Sequence, residues 1–200
     1  AGTLDLAGGT LTNEGAFTIS GASSTARVVG TGTLRNSGQI TKIATGDFAL
    51  APALFVNDGL VDIRAGTLSL SNTTQTTGAF RVAAGAVLEM TGGTHGINAD
   101  APFTADSAGI WQMTGGSVAT VVPSRLTLPA DLATVVDGAS VELDKTTVFE
   151  GDLAVRSGSV EPNAPLTVGG LLTLTGGTLG GNSEITAAGD FDFTGGILSP

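Results

Sequence analysis

Residues 170–179 read Gly-Leu-Leu-Thr-Leu-Thr-Gly-Gly-Thr-Leu, residues 181–187 Gly-Asn-Ser-Glu-Ile-Thr-Ala, and residues 189–198 Gly-Asp-Phe-Asp-Phe-Thr-Gly-Gly-Ile-Leu. The third piece repeats the first: Leu172-x-Leu174-Thr-Gly-Gly returns 19 residues later as Phe191-x-Phe193-Thr-Gly-Gly. A period near 20 marks one structural unit stacked on itself.

Working outward, the apolar-x-apolar pair recurs through the whole chain. It stands at Leu4-Asp5-Leu6, Ala26-Arg27-Val28, Phe48-Ala49-Leu50, Leu68-Ser69-Leu70 and Leu88-Glu89-Met90. It continues at Trp111-Gln112-Met113, more weakly at Leu132-Ala133-Thr134, then at Leu153-Ala154-Val155, Leu172-Thr173-Leu174 and Phe191-Asp192-Phe193. Successive starts lie 22, 22, 20, 20, 23, 21, 21, 19 and 19 residues apart. A second alternating run includes Phe17-x-Ile19, Val61-x-Ile63, Phe80-x-Val82, Leu126-x-Leu128 and Leu166-x-Val168, with Ile40-Thr-Lys-Ile43 as a copy carrying one extra residue. A third short run sits between them, as at Thr10-Leu11-Thr12, Leu54-Phe55-Val56 and Thr178-Leu179.

Each unit therefore offers three short strands with period-2 alternation and Gly-rich corners. Thr, Gly, Val and Ser disfavour helix, and no window holds a helical stripe. A rung cannot bury its own apolar face, whereas stacked rungs share one core. The fold expected is all-β: a right-handed parallel β-helix (β-solenoid) over residues 1–200, about ten rungs of 19–23 residues with three short strands each. The handedness follows from the rule for parallel crossovers. Asn13, Asn36, Asn57, Asn98, Asn163 and Asn182 recur near a corner, where stacked amides could bond along the axis or simply tolerate turn geometry. Residues 72–77, 94–107 and 121–132 break the rhythm and read as side loops.

Composition narrows the function classes. The chain has 8 basic and 18 acidic residues, a net charge of −10, and no Cys. It lacks the basic footprint needed for nucleic acid, and an anionic membrane surface would repel it. Without Cys there is neither a disulfide framework nor a thiolate metal site. No apolar run reaches the length of a membrane helix. The chain begins and stops within its own pattern, and reads as part of a longer repeat protein.

The pattern Gly-Gly-Leu-Leu-Thr-Leu-Thr-Gly-Gly-Thr-Leu at 169–179, with Leu34-Arg35-Asn36-Ser37-Gly38-Gln39-Ile40, resembles repeats of filamentous-haemagglutinin-type exoproteins and of bacterial autotransporter passengers. The resemblance implies a β-helical stalk on a large secreted or cell-surface bacterial protein, often adhesive. The secretion-domain motifs of two-partner exoproteins are not matched here.

The sequence points to no catalytic, cofactor-binding or metal-binding residue. His95, the single histidine, sits in Gly-Gly-Thr-His-Gly and reads as a surface turn residue. Acidic pairs occur at Asp190/Asp192, Glu142/Asp144 and Asp58/Asp62, and read as solvated charges. Arg64 and Arg81 fall near one another on successive rungs, too few for an acidic-sugar site. Trp111 occupies a core marker position. Thr-x-Thr pairs at 10/12, 31/33 and 173/175 do not recur once per rung, as an ice-binding face requires. The reading is a structural or adhesive stalk, extracellular or on the bacterial cell surface, not an enzyme. Its partners would be end-to-end copies, adjoining solenoid repeats, or a glycan or cell-surface ligand. The alternatives are a polysaccharide-active or carbohydrate-binding β-helix and, third, an ice-binding solenoid.

Overall fold

Alternation with period 2 puts one row of side chains on each side of a strand, so a chain of such strands closes only by coiling its apolar rows inward. The computed structural model, which describes residues 2–21, 26–98, 102–106, 108–121 and 125–199, has this form. It is an all-β solenoid of about nine turns, with no helix among the described residues. Every strand pairing among the described residues is parallel.

The largest face is a 14-stranded sheet. Its path runs β1 (Thr3–Asp5), β4 (Arg27–Asn36), β6 (Phe48–Asn57), β8 (Thr67–Thr76), β10 (Val87–Asn98), β12 (Gly109–Met113), β15 (Leu132–Leu143), β17 (Leu153–Pro162), β19 (Leu172–Leu174) and β22 (Phe191–Phe193). β2 (Thr10–Asn13), β13 (Ser117–Val121), β20 (Thr178–Gly180) and β23 (Ile197–Ser199) extend the same sheet. The remaining face is two sheets in succession. One holds β3 (Ala16–Ile19), β5 (Gln39–Lys42), β7 (Leu60–Ile63), β9 (Ala79–Ala83) and β11 (Phe103–Asp106). The other holds β14 (Leu126–Leu128), β16 (Thr147–Phe149), β18 (Leu166–Val168) and β21 (Ile185–Ala187).

Three separate strands per rung occur toward the two ends and around β12–β14, but not throughout. In β4, β6, β8, β10, β15 and β17 the first two strands run together as one of 10–12 residues. The corner between them is a bulge rather than a break, with register shifts beside Gly30, Gly92 and Asp137. Gly30, Gly93, Gly138 and Gly158 take positive φ there, so the strand bends without losing its ladder. The run expected as a loop at 72–77 is thereby mostly strand, since β8 continues to Thr76 past Asn72 at φ 66°. Of the stretch 94–107, residues 94–98 belong to β10 and 103–106 to β11. Residues 99–101, 107 and 122–124 lie outside the described residues.

Register also displaces two markers by one pleat. Leu4 pairs with Val28, and Thr134 with Trp111, so Leu4 and Thr134 stand two residues out of step with the sequence-based alignment. One inward row then runs Leu4, Val28, Leu50, Leu70, Met90, Met113, Val136, Val155, Leu174, Phe193. Most of its members are fully buried, each contributing roughly 1.5–3 kcal/mol of apolar transfer. At the aromatic level of the core, Phe103 stacks between Phe80 and Trp111, with centroids 5.3 and 4.9 Å away.

Candidate functional site

Polar side chains that enter the inward rows are the first place to look for chemistry, because burial without a partner is costly. Eight polar side chains are buried among the described residues: Asn36, Lys42, Asn57, Asp62, Thr76, His95, Thr134 and Thr147. Thr147 donates to the Lys145 carbonyl at 2.9 Å. Thr134 Oγ1 has no hydrogen-bond partner, and neither does Nε1 of Trp111 beside it.

Lys42 overturns the reading of Ile40-Thr-Lys-Ile43 as a run with one extra residue. Alternation in β5 is regular: Ile40 and Lys42 point inward against Val61 and Ile63, while Ile43 is 46% exposed. The lysine replaces an isoleucine because its ammonium finds a cage at the corner. Nζ donates to the carbonyls of Ala44 and Gly46 at 2.5 Å and of Ala65, one rung on, at 2.7 Å. Desolvation lowers its pKa, and the charge of Asp47 acts in the opposite sense.

His95 is the other correction: it is no surface turn residue. It is fully buried in β10, in register with Val118, in a row that continues through Val141, Val160 and Leu179 to Leu198. Both ring nitrogens lack hydrogen-bond partners. Burial pushes its pKa below the usual value, outweighing the nearby Gly92 backbone, which favours the proton.

The corner amides form a true ladder over three rungs. Nδ2 of Asn13 donates to Oδ1 of Asn36, and Nδ2 of Asn36 to Oδ1 of Asn57, each at 2.7 Å. Each amide also reaches a carbonyl on the next rung: Gln39, Leu60 and Ala79 in turn. Asn163 does not join it, bonding Asp144 instead.

Glycine follows two residues after each of these asparagines, and this column went unnoticed in the sequence. A Cβ on Gly38 would collide with the Gly15 carbonyl oxygen, one on Gly59 with that of Gly38, and one on Gly78 with that of Gly59.

The remaining singled-out charges do not converge. Arg35 pairs with Asp58, Arg64 with the buried Asp62, and Arg81 with Asp106. Arg64 and Arg81 thus lie on successive rungs, each ion-paired to its own acid, with Asp62 also in register with Arg81 and acting on its charge. Asp190 and Asp192 are exposed on the last rung, and Glu142 of β15 is exposed in register with Glu161 of β17. Among the described residues no group of three His, Cys, Asp or Glu could hold a metal. Trp111 is core, 2% exposed. Threonine columns are interrupted: Thr33 is followed by Leu54, Thr12 by Arg35, and Thr173 by Asp192.

The ends of the coil expose what the middle hides. Phe191, Phe193, Ile197 and Leu198 are 40–60% exposed, and Leu172, Ile185, Ala187, Phe191 and Leu198 line an apolar hollow there. Leu4 and Leu11 are exposed at the opposite end. β22, β23 and β21 each have one hydrogen-bonded neighbour, as do β1, β2 and β3.

No family model, curated protein or solved structure matches this chain.

Proposed function

We propose that this chain is a structural stalk segment of a secreted or cell-surface bacterial protein, serving as a stiff spacer that joins further rungs or copies at its ends. One observation carries the reading: an inward row passes from Leu4 to Phe193 through every turn. Force along the axis meets backbone ladders and apolar contacts at each step. The amide ladder, the Lys42 cage and the Arg35–Asp58 and Arg81–Asp106 pairs link one rung to another, which is what a spacer requires. The export expectation rests on composition, on a net charge of −10 with no Cys.

The apolar ends support association. Free strand edges pair readily with further strands, and the exposed Phe and Leu side chains continue the buried rows. Sedimentation of the 200-residue chain across concentrations tests this, against a variant carrying Phe193→Lys and Leu198→Lys. Concentration-dependent growth in the parent, abolished in the variant while its strand signal in circular dichroism persists, is the expected result. Monomer at all concentrations in both would overturn the end-association part of the reading. An adhesive role would show as saturable glycan binding on an array, which the spacer role alone does not produce.

A further inference from the structure

The midpoint of the rod holds a titratable group in an unusual setting. His95 stands in a row otherwise continued by Val118, Val141 and Val160, with both imidazole nitrogens buried and unpartnered. The elements packed on its strand offer no countercharge: β8, β12 and β13 contain no Asp, Glu, Lys or Arg. On β10 itself Glu89 alternates to the outer side, where it accepts from Ser69 at 2.6 Å and Thr114 at 3.2 Å. On the other face of these rungs, Arg81 and Asp106 pair with each other in the solvent, and Arg64 pairs with Asp62 on the rung before. Arg125 is exposed.

We propose that His95 is an acid-sensitive release point, at which protonation opens the 94–98 half of β10 and its partner β13 while the rungs on either side stay stacked. The physical reason is that an imidazolium has two donors and a charge, whereas the described residues supply no counterion and, as acceptor, only the nearby Gly92 backbone, which burial outweighs. The strand around it is also irregularly paired on one side. Its pairing with β8 shifts register at Met90/Gly92, Gly92/His95 and His95/Ile97, so fewer ladder bonds hold it. Opening exposes the imidazole to water, where it charges freely.

The sign follows from linkage. The folded-state imidazole titrates below its ordinary value near 6.5, so the opened state takes the proton first. Closure is therefore fully favoured above pH ~6.5 and is lost progressively below it, about tenfold per pH unit until the folded group itself titrates.

Amide hydrogen exchange on the 200-residue chain between pH 8 and pH 5, corrected for intrinsic rates, tests the proposal. The expected result is an opening equilibrium for residues 94–98 and 117–119 that rises about tenfold per pH unit below ~6.5. His95→Leu, which restores the aliphatic row, should remove that slope. A flat wild-type profile, or an equal slope in His95→Leu, would overturn the proposal. Should the variant fail to fold, the wild-type imidazole decides by itself, since it is the only one in the chain. Its NMR titration should show a midpoint below 6.5; a midpoint at or above 6.5 with the region still protected would also overturn it.

Discussion

The side-chain amide of Asn36 donates to Oδ1 of Asn57 one rung along, at 2.7 Å, and both residues are fully buried. Asn36 is the centre of its ladder, since it also accepts from Asn13. Asn36→Asp preserves shape but sets a carboxylate against Oδ1 of Asn57 and loses the bond to the Leu60 carbonyl. Destabilisation of about 2–4 kcal/mol at pH 7 is expected in urea unfolding. A buried carboxyl has a raised folded-state pKa, so the loss should shrink on acidification, as protonation restores a donor. Equal stability of variant and parent at pH 7 would show the ladder to be incidental.

Lys42 presents a contest between two terms. Burial opposes its charge, whereas three main-chain carbonyls depend on its ammonium. Lys42→Met removes the charge at similar length and leaves the carbonyls of Ala44, Gly46 and Ala65 without this donor. Unsatisfied buried acceptors cost about 1–3 kcal/mol each, so the second effect should win, with a net loss of about 2–4 kcal/mol. Chemical denaturation measures it, and faster exchange at residues 44–47 should accompany it. A Met variant as stable as the parent would mean that the cage merely tolerates the lysine.

Thr134 should behave in the opposite way. Its hydroxyl is buried without a partner between Trp111 and Leu153 in the same row. Thr134→Val keeps the branched shape and deletes the orphan hydroxyl. A gain of about 1 kcal/mol is expected. Loss of stability instead would reveal a bond made by that hydroxyl in solution.

The corner glycines allow a comparison within one column. A Cβ on Gly15 meets nothing within 4 Å, whereas one on Gly38 strikes the Gly15 carbonyl. Gly15→Ala should leave the thermal midpoint within a degree or two. Gly38→Ala must push two rungs apart and should lower it by far more, in line with overpacking costs of about 1–3 kcal/mol. Similar behaviour of the two variants would refute the close rung-to-rung approach at that corner.

The solenoid was legible because a period near 20 with alternation inside it has few other solutions. What stayed hidden was position along that alternation. A slip of one pleat keeps apolar residues on apolar sites, so Leu4-x-Leu6 and Leu132-x-Thr134 looked aligned when each stood two residues out of step. His95 was obscured by its Gly-Gly-Thr-His-Gly surroundings, which resemble a turn. A fixed offset would have found it. Seven residues after the first inward position come Phe55 after Phe48, Val118 after Trp111, Val160 after Leu153, Leu179 after Leu172, and likewise His95 after Leu88. Lys42 was misread because an inward lysine contradicts residue preference. Only the corner carbonyls, brought together by the coil, make its place intelligible.

Stretching the single chain by its two ends in a force spectrometer tests the stacked-spacer account most directly. Rungs that hold their neighbours by separate ladders should peel one after another. The account predicts a series of rupture steps, each lengthening the chain by about 70 Å, the extended length of roughly 20 residues. Smooth extension without resistance, or one step releasing the whole chain, would contradict it.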